Sequence, residues 1–291
     1  MISSLRRYIR RRRHRLGLDP HIVGTAFVKP PPHSETPRDG IRPVRLVVVG
    51  DSTAKSVGLA LASWGASSGD AEVWVVSSRA GAVLQGTHLA LRCGWELPPD
   101  APDLVELAIE AATVVDADAL VVSAGSANIG LWRDPSLDQL VGVHQPGVAD
   151  QYRAALVDAV ARLGTLRIPL LWADVPPLEW APDHWEERSG ATAMGHGEST
   201  LNDIDRWRIV DRIDTEVLGA APIVARWPIT ETLIGPDGRV PDHIRPDGAH
   251  LALDPAVALA ETKWAVALKN GYRSVLAAGA ATSGPHRWHT P

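Results

Sequence analysis

Short apolar runs alternate along the chain with amphipathic segments of helical period. The runs rich in Val, Leu and Ile predict strands at residues 45–49, 72–76, 119–123, 168–173 and 222–225. The segments between and after them predict helices at residues 53–66, 102–114, 149–163, 200–217 and 254–269. Strand and helix in alternation are typical of a parallel sheet with helices on both faces. We therefore predict a three-layer, doubly wound α/β domain of flavodoxin-like type, with about five parallel strands.

Composition changes at both ends of this predicted domain. Residues 29–33 read Lys-Pro-Pro-Pro-His and begin a polar stretch that is typical of an extended linker. The last fifteen or so residues are rich in small residues, Pro and His. We therefore predict a basic tail and linker over 1–42, one domain over 43–272 and a flexible tail over 273–291.

Charge is unevenly distributed along the chain. Residues 1–20 contain seven arginines, all within 6–15, and one acid, which gives +6; the whole chain carries -5, so the remainder carries -11. A basic tail on an acidic body favours contact with phospholipid, with nucleic acid or with the body itself, although a solvated arginine run is the alternative. We expect residues 6–15 to contact an anionic membrane surface, and we expect no specific nucleic acid.

Several classes of protein are excluded by composition. A single cysteine, Cys93, excludes an intrachain disulfide and any zinc site built from several thiolates. No apolar run approaches the ~20 residues that a membrane-spanning helix needs. No apolar segment typical of a signal peptide follows the arginines. A cytoplasmic location is therefore expected, and the basic tail allows peripheral membrane association.

The first candidate for chemistry follows the first predicted strand. Ligands of open parallel sheets bind at the carboxyl ends of the strands, and the chain there reads Gly50-Asp51-Ser52. Ser52 lies at the start of the next helix, where backbone N–H groups and the helix dipole favour negative charge. This position suits a nucleophile whose own amide stabilises an oxyanion. Plain helix capping by Asp51 or Ser52 is the alternative.

The second candidate precedes the last predicted helix. Asp247 and His250 stand three residues apart, so a carboxylate can orient an imidazole that deprotonates a serine. The Pro-Asp-Gly sequence at 246–248 would also suit an ordinary turn. The two candidates together are more specific, because a doubly wound sheet can bring both to one edge.

These motifs resemble those of the SGNH (GDSL-type) hydrolase superfamily over roughly residues 44–270. The resemblance implies that Ser52 is the nucleophile, His250 the general base and Asp247 the acid that orients it. The form Arg-Pro-Asp-Gly-x-His at the second motif is similar to that of SGNH domains associated with O-acyltransferases. The family uses no metal or organic cofactor in this chemistry, and none is expected here.

The resemblance also implies an oxyanion hole. The amide of Ser52 would be joined by that of Gly81, with Gly86 as the second choice. The family's Gly-x-Asn-Asp block is altered here: Asn128 lies one residue further from Gly125, and Ile replaces the Asp. We expect the Asn128 amide to complete the oxyanion hole; a turn residue is the alternative.

Tryptophan dominates the aromatic residues, with 11 against three Tyr and one Phe. Four lie in predicted loops at the edge of the sheet: Trp132, Trp180, Trp185 and Trp227. We expect them to line a groove for an acyl chain or a sugar face, although packing of a long loop is the alternative. The connection at 174–199 is long enough to be a lid or a binding loop.

The expected function is that of a serine esterase acting on an O-acyl ester through an acyl-enzyme. The acceptor would be water or a sugar hydroxyl, and the substrate a small-molecule or glycan ester. The competing hypothesis is an inactive SGNH-fold binding protein, tethered by its arginine-rich tail to anionic lipid or nucleic acid.

Overall fold

The structure is a computed structural model, and its regular elements form two sheets. It describes residues 26–28, 42–78, 82–84, 88–92, 95–97, 103–134, 139–179, 202–282, 286 and 288. No helix among these residues has the length and apolar character needed to cross a membrane.

The main sheet has six strands, which are named here in chain order and lie side by side in the order first, third, second, sixth, ninth and tenth. They are β1 (Ala26–Val28), β2 (Val44–Gly50), β3 (Ala71–Ser77), β6 (Ala119–Ser123), β9 (Leu170–Ala173) and β10 (Val224–Trp227). The last five named are parallel, and their order is that of the flavodoxin-like doubly wound sheet. The predicted fold class is therefore confirmed.

Helices cover both faces of this sheet, because its strands are apolar on both sides. The helices are α1 (Ser52–Ser68), α2 (Leu104–Val115), α3 (Pro146–Gly164), α4 (Ile204–Gly219), the short α5 (Thr230–Leu233), α6 (Leu253–Leu259) and α7 (Ala265–Ala277), the last two joined by a π-helical segment at Ala260–Trp264. Alternate residues of β2 enter different cores: Val47 packs with α2, α3 and α4, and Val48 packs with α1 and the last helix. The two cores bury β6 and β9 throughout and most positions of β2 and β3, whereas three of the four residues of β10 are partly buried.

A second sheet was not predicted. It is antiparallel, in the order β5-β4-β7-β8, and consists of β4 (His88–Arg92), β5 (Trp95–Leu97), β7 (Leu131–Asp134) and β8 (Gln139–Val141). These strands have three to five residues and mix polar with apolar positions, so they lack the apolar runs that mark the main sheet. Strands β4 and β5, and strands β7 and β8, are neighbours in the chain, whereas the pairing of β4 with β7 joins segments that are distant in sequence.

The structure also differs from the predicted domain ends. Strand β1 lies within the predicted N-terminal tail and pairs antiparallel with β3. The predicted end at 272 falls inside α7. Beyond it, His286 and Trp288 are each only 1% exposed, and Trp288 contacts the rings of Trp64 and Tyr272. At these two residues the predicted flexible tail is wrong, because the indole fills an apolar site beside α1 and α7.

Candidate active site

The structure brings Ser52, His250 and Asp247 into one hydrogen-bonded chain. His250 Nε2 lies 2.8 Å from Ser52 Oγ, and His250 Nδ1 lies 2.6 Å from Asp247 Oδ2. A carboxylate oxygen accepts only, so Nδ1 carries the proton and Nε2 accepts from the serine hydroxyl. The His250 side chain is 35% exposed, which leaves it open to solvent. This arrangement can deprotonate a serine.

The loop that carries Asp247 fixes its carboxylate by local hydrogen bonds. Asp247 Oδ1 accepts from the backbone N–H groups of Ala249, at 3.0 Å, and His250, at 2.6 Å. Burial raises the pKa of Asp247, but the hydrogen bonds from the His250 ring and these N–H groups, together with the histidine charge, outweigh it and hold the pKa well below its ordinary value. Asp247 therefore stays ionised and can stabilise an imidazolium.

Gly50 lets Ser52 leave the sheet at its centre. A Cβ at Gly50 would lie 1.8 Å from the carbonyl oxygen of Ser123 in β6, so a side chain cannot fit without a backbone shift. Strand β2 is flanked by β3 and β6, at the point where the strand order reverses. The crevice outside this point is where ligands bind in open α/β sheets.

Asp51 provides the helix cap, which leaves the Ser52 hydroxyl for His250. Asp51 Oδ1 accepts from Thr53 N at 2.8 Å and Thr53 Oγ1 at 2.6 Å, and Oδ2 accepts from the Ser126 hydroxyl. Ser52 is the first residue of α1, so its N–H has no intrahelical acceptor. Asp51 is therefore the helix cap, and the Ser52 side chain is not needed for capping.

The segment after β9 is attached to the loop of Asp247, a connection that the sequence did not reveal. Buried Arg245 donates through Nη2 to the carbonyl of Pro177 at 2.5 Å, and Glu179 N–H donates to the carbonyl of Gly248 at 3.0 Å. Burial lowers the pKa of Arg245 to about 10, against the opposing effect of Glu179 and Asp247, so it remains charged at neutral pH. These contacts hold residues 174–179 against the loop.

Asn128 lies in a short 3₁₀ turn, Ser126–Ile129, after β6, and its side chain is fully buried. Its Oδ1 accepts from the backbone N–H groups of Val83, at 3.2 Å, and Leu84, at 3.5 Å. Its Nδ2 lies 3.5 Å from the Tyr152 hydroxyl. The oxyanion role of Asn128 stays a prediction. Gly81 and Gly86 lie outside the described residues.

The predicted tryptophan groove is wrong for two of its four members. Trp132 in β7 and Trp227 at the end of β10 are 3% and 2% exposed. Trp132 belongs to the core beside α2 to α4, and Trp227 packs edge-on against Trp264 at 5.7 Å between ring centroids. Both indoles therefore stabilise the core, where their large apolar area favours burial. Trp180 and Trp185 lie outside the described residues.

The described residues contain no cluster of three or more His, Cys, Asp or Glu side chains placed to hold a metal ion. A small pocket is lined by residues that are next to Ser52 and His250 in the chain, and most of its lining side chains are apolar. It is lined in part by Thr53, Ser123, Asp174, Arg245, Ala249 and Leu251. Burial raises the pKa of Asp174, although the backbone N–H of Thr230 donates to its carboxylate at 2.9 Å.

Comparison with solved structures identifies chains of similar fold. A candidate acylhydrolase from Bacteroides fragilis NCTC 9343 aligns over 79% of this chain and 91% of its own, with 10% identity and a TM-score of 0.50. The two chains share a fold. A GDSL-like lipase from Bacteroides thetaiotaomicron VPI-5482 aligns over 79% of this chain and 87% of its own, with 10% identity and a TM-score of 0.48. The acetyl xylan esterase AlAXEase aligns over 77% and 99%, with 12% identity and a TM-score of 0.46.

No family model matches the chain, and no curated protein matches it. At these identities the structural likeness concerns the fold alone. The chemistry must therefore be argued from the residues of the site.

Proposed function

We propose that the chain is a serine esterase of the SGNH (GDSL) type that cleaves a carboxylic O-acyl ester through an acyl-enzyme. The observation that carries the proposal is the hydrogen-bonded chain from Ser52 through His250 to Asp247. The position of Ser52 where the strand order reverses, in a fold shared with the candidate acylhydrolase from Bacteroides fragilis, supports the proposal.

The first half-reaction forms the acyl-enzyme. His250 Nε2 takes the hydroxyl proton while Ser52 Oγ bonds to the ester carbonyl carbon, and the carbonyl oxygen becomes an oxyanion. The intermediate collapses, the bond to the alcohol oxygen breaks, and His250 returns the proton to that oxygen. Asp247 stabilises the transient imidazolium, because its low pKa keeps it ionised. The products are the free alcohol and acyl-Ser52.

Two backbone N–H groups would hold the oxyanion. The N–H of Ser52 is the first of α1, where the helix dipole favours negative charge. The second is the predicted N–H of Gly81. Asn128, predicted as a third donor, is fully buried, so the two backbone groups carry the proposal. Each oxyanion donor contributes about 10²–10³ in kcat in comparable hydrolases.

The second half-reaction releases the acyl group to water or to a sugar hydroxyl. His250 removes a proton from the acceptor, whose oxygen bonds to the acyl carbon, and Ser52 leaves and regains its proton. Both acceptors use the same acyl-enzyme. Incubation with p-nitrophenyl acetate and rising concentrations of a monosaccharide distinguishes them. A transferase accumulates the O-acetyl sugar at the expense of acetate, whereas a hydrolase releases acetate alone.

Labelling with a fluorophosphonate tests the proposal. The activated serine displaces fluoride from phosphorus, and intact mass with peptide mapping should locate one adduct on Ser52. The adduct should be absent in Ser52→Ala and His250→Ala and retained in Ser56→Ala, a matched serine one turn further along α1. A folded wild-type chain without adduct contradicts the proposal. That result would favour the inactive binding protein tethered by the arginine-rich tail.

A further inference from the structure

Asn128 joins two loops across the end of the strand that leads to Ser52. Its Oδ1 accepts from Val83 and Leu84, which follow β3, while Asn128 itself follows β6. Strands β3 and β6 are the two neighbours of β2 in the sheet. The hydrogen bonds therefore connect the loops on either side of the point where the chain turns into Ser52.

A buried chain of polar groups fixes which way the Asn128 amide faces. The Tyr152 hydroxyl, on α3, donates to Asp214 Oδ1, on α4, at 2.6 Å. The phenol oxygen then offers only lone pairs to Asn128 Nδ2. A flipped amide would set its NH₂ group against the N–H groups of Val83 and Leu84 and its oxygen against an acceptor. Tyr152 and Asp214 thus select the orientation that holds the 82–84 segment.

This network is costly, which argues against a purely packing role. Asn128, Tyr152 and Asp214 are 0%, 1% and 7% exposed, in a core that is otherwise apolar. Buried polar groups destabilise a core relative to apolar side chains of similar volume, and a fully connected network specifies one geometry in return. The geometry specified here is that of residues 82–84, which directly follow Gly81 in the chain.

We propose that Asn128 is a positioning residue that acts through the N–H groups of Val83 and Leu84, and that Tyr152 and Asp214 lock its amide in place. The inference rests on the proposed function, because the segment held by Asn128 follows the glycine whose amide is the predicted oxyanion donor. Asn128 then supports catalysis through its side-chain oxygen, which accepts from Val83 and Leu84, and not through its NH₂ group. The Asn128 side chain is fully buried between the 82–84 segment and Tyr152, and this role needs no contact with substrate.

Two buried tyrosines allow a matched test. Tyr152→Phe removes the hydroxyl between Asn128 and Asp214. Tyr272→Phe removes an equally buried hydroxyl, bonded to His286 at 2.7 Å in the core on the other face of the sheet. Tyr152→Phe should lower kcat about three- to tenfold with KM unchanged, the range expected from one hydrogen bond. It should also speed hydrogen exchange of the Val83 and Leu84 amides. Tyr272→Phe should do neither.

A change at Asn128 itself separates positioning from direct donation. Asn128→Asp combined with Asp214→Asn keeps an oxygen for the two backbone N–H groups, lacks the amide donor at 128, and lets the Tyr152 hydroxyl donate to the carboxylate at 128. It should lose no more activity than Tyr152→Phe, whereas loss of a direct oxyanion donor would cost about 10²–10³ in kcat. A loss of that size with unchanged exchange at Val83 and Leu84 overturns the inference. So does a Tyr152→Phe chain that matches Tyr272→Phe in both kcat and exchange.

The exchange measurement also separates the two proposals. If the fluorophosphonate fails to label wild-type Ser52, the esterase proposal fails, and exchange at Val83 and Leu84 in Tyr152→Phe still reports whether the network positions the segment. If Ser52 is labelled and exchange and kcat do not respond to Tyr152→Phe, only the positioning inference fails.

Discussion

Asp247, Asp51 and Ser52 have different roles in the proposed chemistry because they make different hydrogen bonds. Asp247 accepts from three groups, two of them backbone N–H groups of its own loop. It therefore keeps its orientation whether or not His250 carries a positive charge. Ser52 needs only one partner, and the acid beside it supplies the helix cap. Each residue of the motif Gly50-Asp51-Ser52 thus has a separate physical task.

Replacing Asp247 tests the tautomer that this geometry imposes. In Asp247→Asn the side-chain oxygen still accepts from the backbone, but the NH₂ group faces His250 Nδ1 and favours the tautomer with the proton on Nε2. Ser52 then has no base, and kcat for p-nitrophenyl acetate should fall by about 10⁴. Asp242→Asn, an exposed acid five residues earlier, should leave kcat unchanged. A fall below tenfold in Asp247→Asn would contradict this role.

Asp214 makes stability depend on pH. Burial raises the pKa of Asp214 from 3.8 to about 7. The hydrogen bond from the Tyr152 hydroxyl and the charge of Arg226 oppose this rise, whereas the charges of Asp211 and Asp174 add to it. Between about pH 4 and pH 7 the folded chain keeps a proton that the unfolded chain has released, so the stability from this group falls as pH rises. The decrease levels off about one pH unit above 7, where the folded chain has also released this proton.

Asp214→Asn removes this titration while its Oδ1 still accepts from Tyr152. Relative to the variant, the unfolding free energy of the wild-type chain should fall by about 3 kcal/mol between pH 5 and pH 8. Urea denaturation at both pH values measures the difference. Asp205→Asn, an exposed acid on the same helix, controls for loss of one negative charge. A constant difference between the two pH values would show that Asp214 is ionised throughout.

Among the elements, the spacing of β2 and β6 sets the position of Ser52. The absence of a side chain at Gly50 lets the two strand ends approach. Next to them, Arg245 and Glu179 attach the segment after β9 to the loop of Asp247. The ends of β2, β6 and β9 thus all contribute to the site. Only β2 leads directly to a residue of the Ser52–His250–Asp247 chain.

Gly50→Ala tests this close approach. The added methyl would collide with the Ser123 carbonyl, so the strands must separate, and the unfolding free energy should fall by about 2–4 kcal/mol. Labelling of Ser52 should slow as well, because the start of α1 moves with the strand. Gly219→Ala, at the open end of α4 where an added Cβ meets nothing within 4 Å, should leave both unchanged. Equal behaviour of the two variants would exclude the close approach as the reason for glycine.

At the scale of the whole molecule, charge separates the tail from the folded body. The body, carrying -11 by sequence, would be repelled by an anionic surface, and the tail, carrying +6 over residues 1–20, would be attracted to it. Binding to such a surface therefore depends on the tail, which lies outside the described residues.

Sedimentation with vesicles tests the membrane prediction. The full chain should bind phosphatidylserine-containing vesicles, and binding should weaken as salt is raised, because screening shortens the range of the attraction. A chain lacking residues 1–20 should bind at least about tenfold more weakly, since each arginine contributes roughly 1 kcal/mol near the surface. Uncharged phosphatidylcholine vesicles are the control. Equal binding by both chains would leave the arginines without this role.

Local patterns were sufficient for the five parallel strands of the main sheet, although not for β1, and for two motifs. The predicted helix at 53–66 is observed as Ser52–Ser68, and the predicted strand at 222–225 as Val224–Trp227. Apolar period and turn chemistry depend on neighbours in sequence, so they can be read without a structure. The order of strands could also be expected, because right-handed crossovers leave few alternatives for alternating strands and helices.

Tertiary structure alone decided what lies far apart in sequence. The contact between Ser52 and His250 spans 198 residues, and the one between Tyr152 and Asp214 spans 62. The positions of Trp132 and Trp227 in the sequence indicated loops at the edge of the sheet, but both indoles are buried in the core. Their burial depends on residues that are distant in sequence. The sequence by itself determined the elements and the candidate motifs, because their signals are local. Which side chains meet was decided by the fold, because burial and hydrogen bonding depend on every layer that packs around them.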